Sequence, residues 1–333
     1  MNRIFLILLF IVTSSCQGSI SSVGRPLLGT FVNITFIGDA EKAPQTAEAV
    51  FGEIERIESL MSPVRPGSDV YRLNRDGGAG PVRVSAETYD LIRKSADVSA
   101  ETGGCFDITF ASMAHLWDYK NKNFVPPSPS AVAALLPLIG SKNILFYPDK
   151  KSISFARPGM KVGLGAIAKG YAVSKGIEVM KKKGISDGIV VAGGDLQVIG
   201  SKYGKPWITG LRHPRRNAIL LTIDLADMDA VCTSGDYERV VIRNGVRYHH
   251  IIDPRTGYPA NTFSSVSVLS KSAVLSDAYD TSIFVMGLEG AREFVKRHGE
   301  IDVILADQKV NLYISKRLKD RIRFLEKGKV EWL

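Results

Sequence analysis

Cysteine is nearly absent, with three residues in 333, at Cys16, Cys105 and Cys232. Spacing this wide writes neither a disulfide framework nor a cysteine-based metal site, and leaves Cys105 and Cys232 to pair or stay free. Beyond the first sixteen residues no run is long and apolar enough to cross a bilayer. No repeat recurs at the periods that mark solenoids or propellers. The one loop rich in proline and serine, residues 125–130, is too short for a domain boundary. An acidic excess is also missing: the formal charge is +9, and basic residues are scattered except at Lys181, Lys182 and Lys183. That run precedes Gly184 and reads as the last turn of a helix, where cations oppose the macrodipole and glycine supplies the cap. The pattern argues against nucleic acid as a partner, while a general positive field favours anionic nucleotides or a membrane surface.

What is present begins with a leader. Arg3 precedes an apolar run from Ile4 to Val12, too short for a mature spanning helix but the length of a secretory core. Thr13-Ser14-Ser15-Cys16 then resembles a bacterial lipobox, in which cleavage exposes the cysteine for acylation. The expected organisation is a signal peptide over 1–15, a lipid-anchored tether over 16–23 with Cys16 lipidated, and one domain over 24–333. The protein is then exported and faces the periplasm or cell exterior. An ordinary signal peptide cut nearby, with Cys16 incidental, is the alternative.

Helix and strand patterns alternate through the rest. Ala47, Val50, Phe51, Ile54, Ile57 and Met61 recur at helical spacing over 44–62, and Ser85 caps a second helix over 88–101. Residues 143–156 and 237–252 read as hairpins, the latter around Asn244-Gly245. Further strands are expected at 188–192, 196–199, 219–223, 265–269, 303–305 and 310–314, and helices at 166–183, 277–286 and 288–298. The mixture predicts an α+β fold, a mixed and antiparallel sheet core with packed helices, as one unit or as two lobes around a cleft.

Three segments offer chemistry. Gly163-Leu164-Gly165-Ala166-Ile167-Ala168 satisfies G-x-G-x-x-A at the mouth of a helix, where free N–H groups favour a phosphate. A dinucleotide-dehydrogenase reading also needs a preceding parallel strand and an acidic residue closing the next one; Asp187 stands before its strand instead. Asp277 and Thr281 lie at i and i+4 on one helix face, a carboxylate and a hydroxyl that suit hard Mg²⁺. Ser276 as a cap, with acidic residues in the first turn, explains the same residues without a metal. His250 to Pro259 joins a titratable base and the anion-binding fork of Arg255 in one bend, although Asp253-Pro254 and Thr256-Gly257 account for the turn alone.

Taken in order, the motifs resemble the ApbE family of FAD:protein FMN transferases. They are Leu28-Gly29-Thr30, Gly104-Cys105-Phe106-Asp107-Ile108-Thr109, the Leu164 to Tyr171 helix entrance, Gly193-Gly194-Asp195, Thr233-Ser234-Gly235, His250 to Pro259 and Asp277-Ala278-Tyr279-Asp280-Thr281. The resemblance implies Mg²⁺ at the Ala166 carbonyl with Asp277 and Thr281, and Asp280 nearby. It implies FAD contacts at Leu28, Cys105, Phe106, Asp107, Lys169 and Ile252. FAD would be the substrate, a threonine on a target flavoprotein the acceptor, and His250 the general base. The implied targets are redox-complex subunits bearing a D-x-x-[SG]-[AST]-T motif. Leu28 replaces a usual methionine, Gly163 an aspartate common in the family, and Val64 a tyrosine that some members present to the flavin. Hydrolysis of FAD to FMN and AMP, or storage of FAD without catalysis, are the alternative activities.

Overall fold

Alternating apolar positions build the sheet. In the strand Thr30–Gly38, Val32, Ile34 and Phe36 are buried while Asn33 and Thr35 between them are half-exposed, the period-2 signature of a sheet with one face on a core. The computed structural model describes residues 18–119, 121, 124–326 and 328–333; the leader and Cys16 lie outside the described residues.

The main sheet has nine strands: Ser19–Leu27, Thr30–Gly38, Asp187–Ala192, Asp195–Ile199, Ala230–Gly235, Phe263–Ser270, Asp302–Asp307, Leu312–Ile314 and Val330–Trp332. Each pairs with the next in that order. Every pair is antiparallel except the last, which is parallel. The helices are α1 (Ala43–Met61), α2 (Asp69–Asp76), α3 (Ala86–Glu101), α4 (Pro129–Leu135), α5 (Ala168–Lys182) and α6 (Ala273–Arg297). Helix α5 packs on both α1 and α6, and α5 and α6 lie on the sheet. Their shared core holds Val50, Phe51, Ile54, Val173, Ile177, Ile283 and Phe284. On the other sheet face a three-stranded sheet, Trp207–Arg212, Ile219–Leu225 and Ile322–Phe324, closes a second core with Leu196, Val198, Val231 and Leu269. Both cores lie against the same sheet, which makes the described residues one structural unit with the predicted α+β, largely antiparallel architecture.

Three boundaries differ from the sequence expectation. The first strand begins at Ser19, and Ser19 to Val23 pair with Ile34 to Gly38, so the sheet takes in residues assigned to the tether. Helix α6 begins at Ala273, where the Ser272 hydroxyl accepts from the Leu275 N–H at 3.3 Å; Ser276, the expected cap, is buried and bonds the Ser270 hydroxyl at 2.8 Å. The two helices expected to either side of Gly287 are one element broken there, the glycine taking φ 75° and ψ −179°. Finally, residues 161–164 ahead of α5 form no strand, and the strand after α5 is antiparallel to both neighbours, so α5 belongs to no dinucleotide-binding βαβ unit.

Candidate functional site

Sheet alternation and helix periodicity converge on one buried cluster. In the strand Ala230–Gly235 the residues Cys232 and Ser234 point the same way, toward α6: the Cys232 Sγ lies 3.5 Å from the Ala273 carbonyl, and the Ser234 hydroxyl donates to Asp280 Oδ1 at 3.0 Å. On α6 the residues Asp277, Asp280 and Thr281 share one face at i, i+3 and i+4. The Thr281 hydroxyl reaches Asp280 Oδ1 at 3.1 Å and the Ser234 hydroxyl at 3.2 Å. The third carboxylate, Asp195, opens its strand after the Gly193-Gly194 turn and accepts from the Thr233 N–H at 3.3 Å. Asp195, Asp277 and Asp280 are at most 1% exposed, and one oxygen from each lies within 4.8 Å of the others.

Helix α5 delivers a cation into this cluster. The Lys169 ammonium pairs with Asp195 and, at 3.0 Å, with Asp277 Oδ1. The next N–H, on Gly170, donates to Asp277 Oδ2 at 2.8 Å. Burial would push the Lys169 pKa down, but Asp195, Asp277 and Asp280 outweigh it and hold the ammonium well above its usual range. Burial, with Asp277 alongside, lifts the Asp195 carboxyl to about 6, and burial with both neighbours lifts Asp280 well above the ordinary value. One ammonium among three buried carboxylates leaves negative charge uncompensated, and a hard divalent cation with oxygen ligands fits that deficit. Helix-end electrostatics do not account for it, because α6 has no acidic residue in its first turn.

The other predicted residues surround this centre. Ala166 lies in the turn before α5, and the Gly163 N–H donates to the Ile108 carbonyl at 2.9 Å, tying that turn to the segment carrying Cys105, Phe106 and Asp107. Cys105 and Phe106 are buried. Asp107 caps a short 3-10 helix: its oxygens accept from the Thr109 N–H and hydroxyl, the Ser99 hydroxyl and the Ser141 N–H at 2.5 to 3.1 Å. That carboxylate therefore holds the loop, and a ligand would meet the loop it shapes. Burial raises the Cys105 thiol pKa and outweighs the lowering by the nearby Arg255 cation; the two segments adjoin. Ile252 packs with Trp117 and Phe124 in a third apolar cluster that Tyr119, Tyr248 and Tyr258 flank. Leu28 takes φ 56° in the turn between the first two strands, whose Thr30 abuts Gly193 beside Asp195. Gly163 has the Ala111 methyl close by, a Cβ there falling 3.1 Å from it.

His250 stands beside the centre and feels the Lys169 charge. Burial first, then Arg239, His249 and Lys169, lower its pKa to about 4, so the imidazole is neutral at physiological pH. Its Nδ1 is buried without a hydrogen-bond partner among the described residues. Asp195 and Ser234 received no role from the sequence, although both sit in motifs that it displays; only the strand pairing that brings Thr233 to Asp195 exposes them.

Comparison with known proteins agrees with this geometry. The ApbE family profile matches residues 28–305. The FAD:protein FMN transferase of Treponema pallidum is 29% identical over 296 residues, covering 84% of this chain and 82% of that protein. The Klebsiella pneumoniae protein of the same name is 29% identical over 284 residues, covering 85% and 88%. The crystal structure of an ApbE protein from Thermotoga maritima superposes with a TM-score of 0.85 at 33% identity, covering 91% of this chain and 99% of that one. The flavin transferase ApbE from Vibrio cholerae gives 0.80 at 27% identity over the same shares. With the profile spanning most of the chain and the fold shared throughout, this protein belongs to the ApbE family.

Proposed function

We propose that this protein transfers FMN from FAD to a threonine hydroxyl of an acceptor protein, releasing AMP, with Mg²⁺ as cofactor. The observation that carries the reading is the buried triad of Asp195, Asp277 and Asp280 beneath the α5 entrance. The names of the T. pallidum and K. pneumoniae relatives support the flavin chemistry. Asp195, Asp277 and Asp280 would hold the cation, with Thr281 and the Ala166 carbonyl completing the set. Bound there, Mg²⁺ supplies charge neutralisation at the pyrophosphate.

The chain's own residues do the rest. Lys169 bridges Asp195 and Asp277, offsetting their mutual repulsion, and keeps its charge at the site where phosphate would arrive. The acceptor oxygen attacks the FMN-side phosphorus, the bond from that phosphorus to the oxygen bridging to AMP breaks, the hydroxyl proton passes to His250, and AMP departs. A phosphate placed against Lys169 offsets part of the positive field that, after burial, depresses His250, and so strengthens it as a base when substrate is bound. Leu28, Cys105, Phe106, Asp107 and Ile252 line the ground on which the rest of FAD would sit. The targets are redox-complex subunits with the D-x-x-[SG]-[AST]-T motif.

Incubation with FAD, Mg²⁺ and a peptide bearing that motif should add one FMN less water to the peptide and release AMP, both read by mass spectrometry. AMP and free FMN with unmodified peptide would assign the chain to FAD hydrolysis instead. Intact FAD would leave only storage, a role for which a buried carboxylate triad has no use.

We also propose export and lipid anchoring, on the strength of the Arg3 to Cys16 leader. Among the described residues no helix is long and apolar enough to cross a membrane. Cys16→Ser should release the protein from the membrane fraction or leave it unprocessed. Unchanged acylation and membrane association in that variant would refute the anchor.

A further inference from the structure

The hairpin that ends at His250 carries an arginine whose position the transfer reaction has not yet used. Its strands, Val240–Arg243 and Val246–His249, pair Val240 with His249, Val241 with Tyr248 and Ile242 with Arg247. The His250 N–H donates to the Arg239 carbonyl at 3.1 Å, which extends the pairing by one residue. Directly opposed residues of an antiparallel pair project from the same face, so the Arg239 and His250 side chains leave the hairpin together. The opposite face carries His249, which is fully buried against Phe284 and fixes the base of the hairpin on the core. Arg239 is exposed.

The neighbouring arginines are engaged. Arg243 donates to the Phe124 carbonyl at 3.3 Å, Arg247 lies 3.9 Å from Asp236, Arg215 makes a two-pronged pair with Asp236 at 2.6 and 2.7 Å, and Arg255 pairs with Asp253 at 2.8 Å through both nitrogens. Arg239 has no ion pair or hydrogen bond from its guanidinium among the described residues. A fork that can bind a carboxylate through two parallel bonds is thus held free beside the candidate base. His250 feels the charge of Lys169, which sits among the triad carboxylates, and Arg239 beside it is exposed and so open to an approaching acceptor protein.

We propose that Arg239 is the acceptor-specificity residue: its guanidinium binds a side-chain carboxylate of the acceptor segment and so places the acceptor hydroxyl at His250. The inference rests on the transferase reading above and adds the partner's chemistry, an acidic residue close in space to the modified threonine. Lysine at this position keeps the charge without the fork and retains part of the effect.

The test uses the full folded chain with FAD, Mg²⁺ and three peptides that differ only in the motif aspartate, kept as Asp or changed to Asn or Lys. Arg239→Gln should raise the acceptor KM roughly 10-fold or more, the scale of one lost charge-assisted pair, with the FAD KM and the melting temperature unchanged. The Asn peptide should cost wild type the same factor and cost Arg239→Gln nothing further. Arg239→Glu should prefer the Lys peptide over the Asp peptide, and Arg239→Lys should fall between wild type and Arg239→Gln. Additive losses in the Gln variant with the Asn peptide, or an unchanged acceptor KM, would overturn the proposal. A raised FAD KM instead would place Arg239 on the donor's phosphate and overturn it as well. Release of AMP by wild type with every peptide left unmodified would overturn the transferase reading itself, an outcome distinct from normal transfer by the Arg239 variants.

Discussion

Asp277→Asn is expected to cut FMN transfer by ~10²-fold or more, the scale of losing a preorganised electrostatic stabiliser, while FAD binding weakens far less. Asparagine keeps the shape of the side chain and can still accept from the Gly170 N–H, so the α5–α6 contact survives. What it removes is one of three buried charges around the proposed cation. Thr281→Ala should act in the same direction and more mildly, because water can replace a neutral ligand. A purely structural role predicts otherwise: lower stability with an unshifted dependence of rate on Mg²⁺, and that result would sink the assignment.

The same site predicts a pH signature that does not depend on turnover. Folded Asp195 holds its proton to about pH 6, and unfolded aspartate loses it near 3.9. The metal-free fold binds more protons than the unfolded chain in that window, so its stability is highest below it and falls as the pH rises through it. Asp280, lifted in the same direction by burial and its neighbours, adds to the loss. A cation that binds only the folded chain restores stability by mass action, about 2.7 kcal/mol at a hundredfold excess over Kd. The Mg²⁺-induced rise in melting temperature should therefore be larger near pH 7.5 than near pH 5 in the wild type, and small at both in Asp277→Asn. An equal rise at both pH values would show that Mg²⁺ binds elsewhere.

Gly170→Ala should damage both the fold and the site. A Cβ at Gly170 would fall 2.2 Å from the Ala273 carbonyl oxygen, 2.7 Å from its carbon and 2.8 Å from the Asp277 Cβ. Two of those atoms are backbone, so neither helix can yield by turning a side chain. Forced overpacking of this kind costs roughly 1–3 kcal/mol, and a backbone clash belongs at the upper end. Since Gly170 also supplies the N–H that seats Asp277, moving α5 off α6 should separate the carboxylates and abolish Mg²⁺ stabilisation in the fraction that folds. Denaturant midpoints with and without Mg²⁺ measure both effects. A wild-type midpoint and Mg²⁺ shift in Gly170→Ala would show that the helices are not locked together at this glycine.

The elements legible in the sequence are those with strong local signals. Periodicity marked α1, the Ser85 cap marked α3, and Asn244-Gly245 marked the hairpin, whose turn places both residues at positive φ. The α6 start was misplaced because Ser272 and Ser276 are both capping residues, and only tertiary contact with Ser270 decides between them. Short strands such as Trp207–Arg212 and Ile322–Phe324 carry weak alternation and exist because they cover the sheet's second face. Within the site, Asp277 and Thr281 were readable because their spacing lies on one helix. Asp195 and Ser234 join them from strands 43 to 86 positions away in the chain, and no local pattern encodes such a meeting.

The order of strands across the main sheet bears on how the chain reaches its native state. From Asp187 onward each strand finds its neighbour among residues soon to follow, so that half can assemble by successive short closures. The strand Thr30–Gly38, in contrast, must meet Asp187–Ala192 across the whole segment 39–186. Closing a loop of about 150 residues costs roughly 2 kcal/mol more in chain entropy than closing one of about 10. Non-local pairing of this kind slows folding. The N-terminal hairpin is therefore expected to dock late, bringing the Leu28 turn to Gly193, and pulse-labelling hydrogen exchange would show Thr30–Gly38 protected after Asp187–Ile199. On that order, a chain emerging with its N-terminus first would hold its opening hairpin unpaired until Asp187–Ala192 had been made.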